Sequence, residues 1–157
     1  MDANAQLINH FYTCFQNKDV KGMQDCYADH AVFNDPVFQN LNASEVRSMW
    51  AMLISSGKDM RIEFKDIKGD KDAASGHWDA YYTFSATGNR VINQIDATFR
   101  IENGKIVEHR DTFDFYTWAK QALGLTGVLL GWTSFLKNKI RKKARTNLEN
   151  YRRKHSS

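Results

Sequence analysis

The sequence predicts an α+β fold in which three N-terminal helices pack against a curved antiparallel sheet. Three observations carry this prediction. Apolar residues recur at helical spacing up to about Gly57, the period then switches to two across residues 61–114, and turn dipeptides separate the alternating runs. The chain has 157 residues, 42% hydrophobic and 25% charged, with a single proline, which suits one packed domain without long disordered linkers.

Residues 3–16 place Leu7, Ile8, Phe11, Tyr12 and Phe15 on one helical face. Met23, Cys26 and Tyr27 give a shorter second helix after the break at Asn17-Lys18-Asp19. Residues 31–34 form a short strand ended by Asp35-Pro36, because proline lacks an N–H and disfavours helical geometry in the residue before it. A third amphipathic helix carries Met49, Trp50, Leu53 and Ile54, capped by Asn42 or Ser44. Runs 61–67, 75–84, 90–101 and 105–114 then alternate, separated by Gly69-Asp70, Thr87-Gly88-Asn89 and Asn103-Gly104. They form a four-stranded antiparallel meander, and helices on its apolar face enclose a cavity at one end.

Strand residues two apart share a face. The inward set is Trp78, Ala80, Tyr82 and Phe84 on the second strand. On the third it is Val91, Asn93, Ile95, Ala97, Phe99 and Ile101, with Asn93 as its polar member. On the fourth strand Val107, His109, Asp111 and Phe113 share one side. If that side is inward, an imidazole and a carboxylate meet in a partly dry cavity, where each shifts the other's proton affinity and either could move a proton. The same alternation allows the reverse, with both groups solvated or paired with Arg90 or Arg110.

Two stretches carry a family resemblance. Residues 27–36, YADHAVFNDP, resemble the end of the helical hairpin in ketosteroid isomerases, which implies Asp35 as a catalytic base whose proton affinity is set by its surroundings. Counted back by that family's spacing, its oxygen-binding tyrosine falls on Phe11, with Tyr12 adjacent, and its second acid falls on Asp96, which alternation turns outward. Residues 104–114, GKIVEHRDTFD, resemble the last strand of limonene epoxide hydrolases and of SnoaL-like polyketide cyclases, which implies an acid or base role for Asp111. The hydrolase's arginine and aspartate have Trp78 and Ala80 in their places, and its water-holding asparagine has Asp35, so the full epoxide-opening set is absent.

Together these likenesses imply a cone-shaped α+β barrel of the nuclear transport factor 2 type over residues 1–118, followed by a helical extension over 119–157. The implied chemistry is proton transfer on a small, largely apolar or polycyclic, oxygen-bearing ligand. Asp35 and Asp111 would act as acid and base, with His109 tuning or replacing either. Asn93, Trp78, Tyr82, Ile95, Phe113, Trp118, Phe11 and Trp50 would line the ligand. Two plainer readings stand beside this one: Asp35 as a turn aspartate bonded to nearby amides, and the whole domain as a non-catalytic binding module. Family analogy also implies a homodimer through the convex sheet face of Tyr81, Thr83, Gln94 and Thr98.

Other chemistries find little support. His10, His30, His77 and His155 lie apart, without metal-ligand spacing, so neither a metal nor another cofactor is expected. There is no glycine-rich phosphate loop and no Gly-x-Ser-x-Gly elbow. Cys14 and Cys26, both read as helical, are expected as buried reduced thiols. The N-terminus does not resemble a secretory signal, and a cytoplasmic protein is expected.

The net charge of +4 is unevenly spread. Residues 137–157 carry nine Lys or Arg and one Glu, leaving residues 1–136 at −4. Ahead of that tail, residues 123–136, LGLTGVLLGWTSFL, are apolar but too short to span a bilayer. Leu136, Ile140, Ala144, Leu148 and Tyr151 then recur at helical spacing among the basic residues. One reading makes the apolar segment a plug for the open end of the cone, or a dimer contact, with the basic helix as its solvated continuation. The other makes the pair an interfacial anchor on an anionic membrane. Nucleic-acid binding is not expected, since one basic helix without base-reading residues gives only weak, salt-dependent association.

Overall fold

The computed structural model describes residues 2–155. Helix α1, Ala3–Gln16, starts at Asp2, whose carboxylate accepts from the amides of Asn4 and Ala5. It buries Ile8, Phe11, Tyr12 and Phe15, the face anticipated from their spacing. Helix α2 is only Val20–Gln24, and Tyr27 opens strand β1, Tyr27–Asn34. Cys26 and Tyr27 are therefore not helical, although both cysteines are buried and unpaired as expected. The reason is non-local: Tyr27 pairs in parallel with Ile106, a partner no local periodicity reveals.

Strand β2, Leu41–Asn42, leads into helix α3, Ala43–Ser56, through a capping box in which Asn42 and Glu45 satisfy each other's backbone amides. Strands β3, Arg61–Gly69, β4, Ala73–Phe84, β5, Asn89–Glu102, and β6, Lys105–Thr112, form the expected meander. The β5–β6 hairpin turns on Asn103 and Gly104, both at positive φ (52° and 72°), the backbone that a tight two-residue hairpin loop requires. The sheet has six strands rather than four, in the order β2-β1-β6-β5-β4-β3, with only the β1–β6 pair parallel.

Alternation predicts the faces of the sheet well. Val91, Asn93, Ile95, Ala97, Phe99 and Ile101 are all buried, as are Trp78, Ala80, Val107, His109 and Asp111. An aromatic cluster of Phe11, Phe15, Phe33, Trp50, Trp78 and Phe99 fills the narrow end between helices and sheet. A smaller cluster of Val91, Phe115, Trp118, Ala119 and Ala122 forms where helix α4, Phe115–Leu123, packs on β5. Residue 118, expected as a boundary, lies inside this helix.

Beyond α4 the chain departs from its reading. Helix α5, Leu125–Leu130, lies against α4, and helix α6, Ser134–His155, returns to pack on α3. The basic helix is not a solvated continuation. Leu136 and Leu148 are buried, Arg145 and Arg152 both reach the carboxylate of Glu45, and the Arg141 Nε–H donates to the carbonyl of Pro36 at 2.9 Å. A half-exposed guanidinium meeting a mostly buried carboxylate resists solvent screening better than a surface pair does.

Candidate functional site

The parallel register of β1 on β6 builds the site. Phe33 lies opposite His109 and Asn34 opposite Arg110, so one further residue brings Asp35 level with Asp111. With period two, both carboxylates follow an inward pair. Across β5 and β4, Asp111 faces Ala97, and Ala97 faces Gly76. The Ile67 side chain fills the space that a Cβ on Gly76 would take, its Cδ1 2.5 Å from that position, and the Tyr12 ring lies 3.8 Å from it.

Asp111 is 4% exposed and is held through Oδ1, which accepts from Nε2 of His109 at 2.9 Å and, more weakly, from the Trp78 indole at 3.5 Å. The other ring nitrogen of His109, Nδ1, lies 2.8 Å from the Tyr27 hydroxyl, which itself accepts from the Trp50 indole at 2.9 Å. The directions follow from chemistry. Indole only donates, so the Tyr27 hydroxyl accepts from Trp50 and has its own proton free for Nδ1, an arrangement that leaves Nε2 to donate to Asp111. Burial pushes the Tyr27 pKa far up, so its hydroxyl keeps that proton. His109 is enclosed by Phe11, Tyr27, Phe33, Trp50 and Phe99 and touches the site only through Asp111.

Asp35 is half-buried. Its Oδ1 accepts from the amides of Val37 at 2.7 Å and Phe38 at 2.6 Å, the turn geometry foreseen for an aspartate before proline. It is also perturbed. Desolvation pushes its pKa up to about 7, the negative charge of Asp111 adds to the rise, and the two amides and Arg141 oppose it. The turn reading and the base reading are thus compatible: the amides engage Oδ1, and among the described residues Oδ2 makes no hydrogen bond.

Tyr12, which the sequence offered only as the neighbour of the isomerase tyrosine position, has the surroundings of a site residue. It is wholly buried, its hydroxyl is the one enclosed side-chain polar atom without a hydrogen-bond partner among the described residues, and the charge of Asp111 helps raise its pKa. The ketosteroid isomerase spacing pointed one residue short, to Phe11, which is packed edge-on against Tyr27, Trp50 and His109.

The remaining candidates divide. Phe11, Trp50 and Trp78 belong to the packed end around His109. Tyr82 and Trp118 meet at the other end, where the Trp118 indole donates to the Tyr82 hydroxyl at 2.7 Å, and the Tyr82 pKa is raised by burial and by the charge of Asp35. Val37, Tyr82 and Phe113 are half-buried and touch both apolar clusters, so they stand between the two ends. Asn93 and Ile95 lie buried on β5, opposite Ala80 and Trp78. Asp96 is exposed and bonds to His77, as alternation predicted. Two surface grooves of about 370 and 470 Å³ lie on the convex face of the sheet, and neither is lined by Asp35 or Asp111. Among the described residues no cluster of three or more His, Cys, Asp or Glu is arranged to hold a metal ion.

A curved mixed sheet wrapped on three helices is the architecture of the nuclear transport factor 2-like superfamily. Within it, residues 8–109 match the SnoaL-like domain, and the chain belongs to that family. No curated protein matches it by sequence. Among solved structures, TsrD from Streptomyces laurentii superposes with a TM-score of 0.66 at 20% identity, covering 79% of this chain and 98% of its own. IdmH, a candidate polyketide cyclase from Streptomyces antibioticus, gives 0.65 at 22%, covering 78% and 99%. An LEH-like epoxide hydrolase from M. tuberculosis gives 0.64 at 18%, covering 82% and 96%. At such identities the likeness is one of fold.

Proposed function

We propose that the protein is an acid-base enzyme that moves a proton on a small, largely apolar molecule bearing a carbonyl or hydroxyl oxygen. The observation that carries this is the pairing of Asp35 and Asp111 in unlike surroundings. One is fixed by His109 and Trp78, and the other is raised by burial to a pKa of about 7 while two amides anchor and partly offset it, which suits proton transfer near neutral pH.

In this reading Asp35 is the base. Its Oδ2 takes a proton from the carbon beside the ligand carbonyl, while Oδ1 stays anchored to Val37 and Phe38. Negative charge then builds on the carbonyl oxygen, and the Tyr12 hydroxyl, lacking any partner of its own, donates to it. Asp111, the second carboxylate of the pair, raises the proton affinity of Asp35 through its charge and so favours transfer of the proton to Asp35. His109 is a positioning residue, fixing Asp111 through the relay from Trp50 and Tyr27. Tyr82, Trp118, Phe113 and Asn93 hold the apolar body of the ligand. The fold relatives, a candidate polyketide cyclase and an epoxide hydrolase among them, act on molecules of this general kind by their names.

The test is deuterium exchange. Incubated in heavy water with a panel of cyclic ketones and quinones, the wild-type protein is expected to exchange protons beside the carbonyl of at least one member, followed by mass spectrometry. Asp35→Asn should slow that exchange by about 100-fold or more. Exchange at the wild-type rate in both Asp35→Asn and Asp111→Asn refutes the assignment.

A further inference from the structure

The segment from Leu125 to Phe135 leaves six large apolar side chains in solvent: Leu125, Val128, Leu129, Leu130, Trp132 and Phe135, with Leu125 and Trp132 each 74% exposed and Phe135 70%. Their exposure follows from the packing. A Cβ on Gly127 would stand 1.9 Å from the carbonyl oxygen of Ala119, and one on Gly131 would stand 2.9 Å from the Tyr116 ring. The segment thus lies on α4 by its glycine backbone, and the larger side chains point away. The Tyr116 hydroxyl, donating to the carbonyl of Val128, holds it there.

Charge identifies what covers this patch. From Phe115 to Leu148 the chain has seven Lys or Arg and no Asp or Glu. At helical spacing Phe135, Lys139 and Lys142 share the outer face of α6, all exposed, opposite the face buried by Leu136 and Leu148. Among the described residues Lys139, Lys142 and Lys143 make no ion pair, whereas cations on the inner side are engaged with Glu45 and Pro36. An apolar strip with a Trp, continued along α6 by exposed lysines with no acid between residues 115 and 148, has the chemistry of a lipid surface with acidic headgroups.

We infer that the strip from Leu125 to Phe135, together with Lys139, Lys142 and Lys143, docks the protein on the surface of an anionic bilayer without crossing it. Among the described residues no helix is long and apolar enough to span a membrane. The inserted elements are Trp132, Phe135 and the α5 leucines, and the lysines lie at headgroup level.

The test is co-sedimentation of the full chain with phosphatidylcholine vesicles, with and without phosphatidylglycerol. Binding is expected only to the anionic vesicles and should weaken as salt rises. Trp132→Ser/Phe135→Ser should lower the partition coefficient at least about ten-fold. Lys139→Gln/Lys142→Gln should lower it by roughly five-fold per lysine. Both pairs are exposed, so circular dichroism melts should match the wild type, and if the aromatic variant melts early, the lysine variant decides. No binding of the wild-type protein to anionic vesicles overturns the proposal, as does binding undiminished in a folded variant. It is also overturned if the aromatic variant converts an oligomer to single chains in sedimentation velocity while the wild type ignores vesicles, for the patch is then a contact between copies.

Discussion

Asp35→Asn should make the protein more stable in mild alkali and leave it nearly unchanged in acid. An aspartate in the unfolded chain titrates near 3.8, and in the folded protein Asp35 titrates near 7. Between those values the folded state holds a proton that the unfolded state has released. Raising the pH from about 4 to about 7 therefore favours unfolding, and above 7 the whole penalty applies. Each pH unit of the gap is worth about 1.4 kcal/mol, which sets an upper bound of roughly 4 kcal/mol. Asp35 is half-buried and water reaches its carboxyl, which reduces the figure to about 2 kcal/mol. Asparagine does not titrate, and its carbonyl can still accept from Val37 and Phe38. Urea unfolding followed by tryptophan fluorescence, near pH 4 and near pH 8, measures the difference. The variant should gain about 2 kcal/mol over the wild type between the two conditions. A gap independent of pH, or one that shrinks as pH rises, refutes the desolvated-carboxylate account. A second arm isolates Asp111: with Asp111→Asn the neighbouring negative charge is gone, so the Asp35 midpoint should move toward acid.

Two further outcomes test the packing. Tyr12→Phe removes a buried hydroxyl with no partner, so stability should be unchanged or rise by up to about 3 kcal/mol, while deuterium exchange falls about 100-fold; a less stable variant with undiminished exchange contradicts the role given to that hydroxyl. Gly127→Ala drives a methyl into the Ala119 carbonyl and should cost about 1–3 kcal/mol in a denaturant titration, and wild-type stability would show that α5 does not rest on α4.

Much of this arrangement was legible in the sequence, and the exceptions share a cause. Alternation along β5 and β6 placed Asn93, His109 and Asp111 inward because period two is a local property that the sheet preserves. The Asn103-Gly104 turn was equally local. Tyr27 was misassigned because its strand character comes from pairing with Ile106, and with it went the hydroxyl that directs His109. Tyr12 was visible as a core aromatic next to the isomerase tyrosine position, but its unpartnered hydroxyl is a property of the packed core that no local pattern carries. The tail misled through its composition: seven or more cations in one helix suggest solvent, yet Glu45, about one hundred residues earlier, draws two of them back to the body.

That returning helix makes the extension part of the surroundings of Asp35. Arg141 holds the peptide next to Asp35 and lowers the cost of ionising it. Cutting the chain after α5 would therefore strip a counter-charge from Asp35, leave Glu45 without its two guanidinium partners and open the slot filled by Leu148. A shortened protein would keep most of the sheet and yet titrate differently, and any pull on the tail at a bilayer would be felt first at the Pro36 carbonyl.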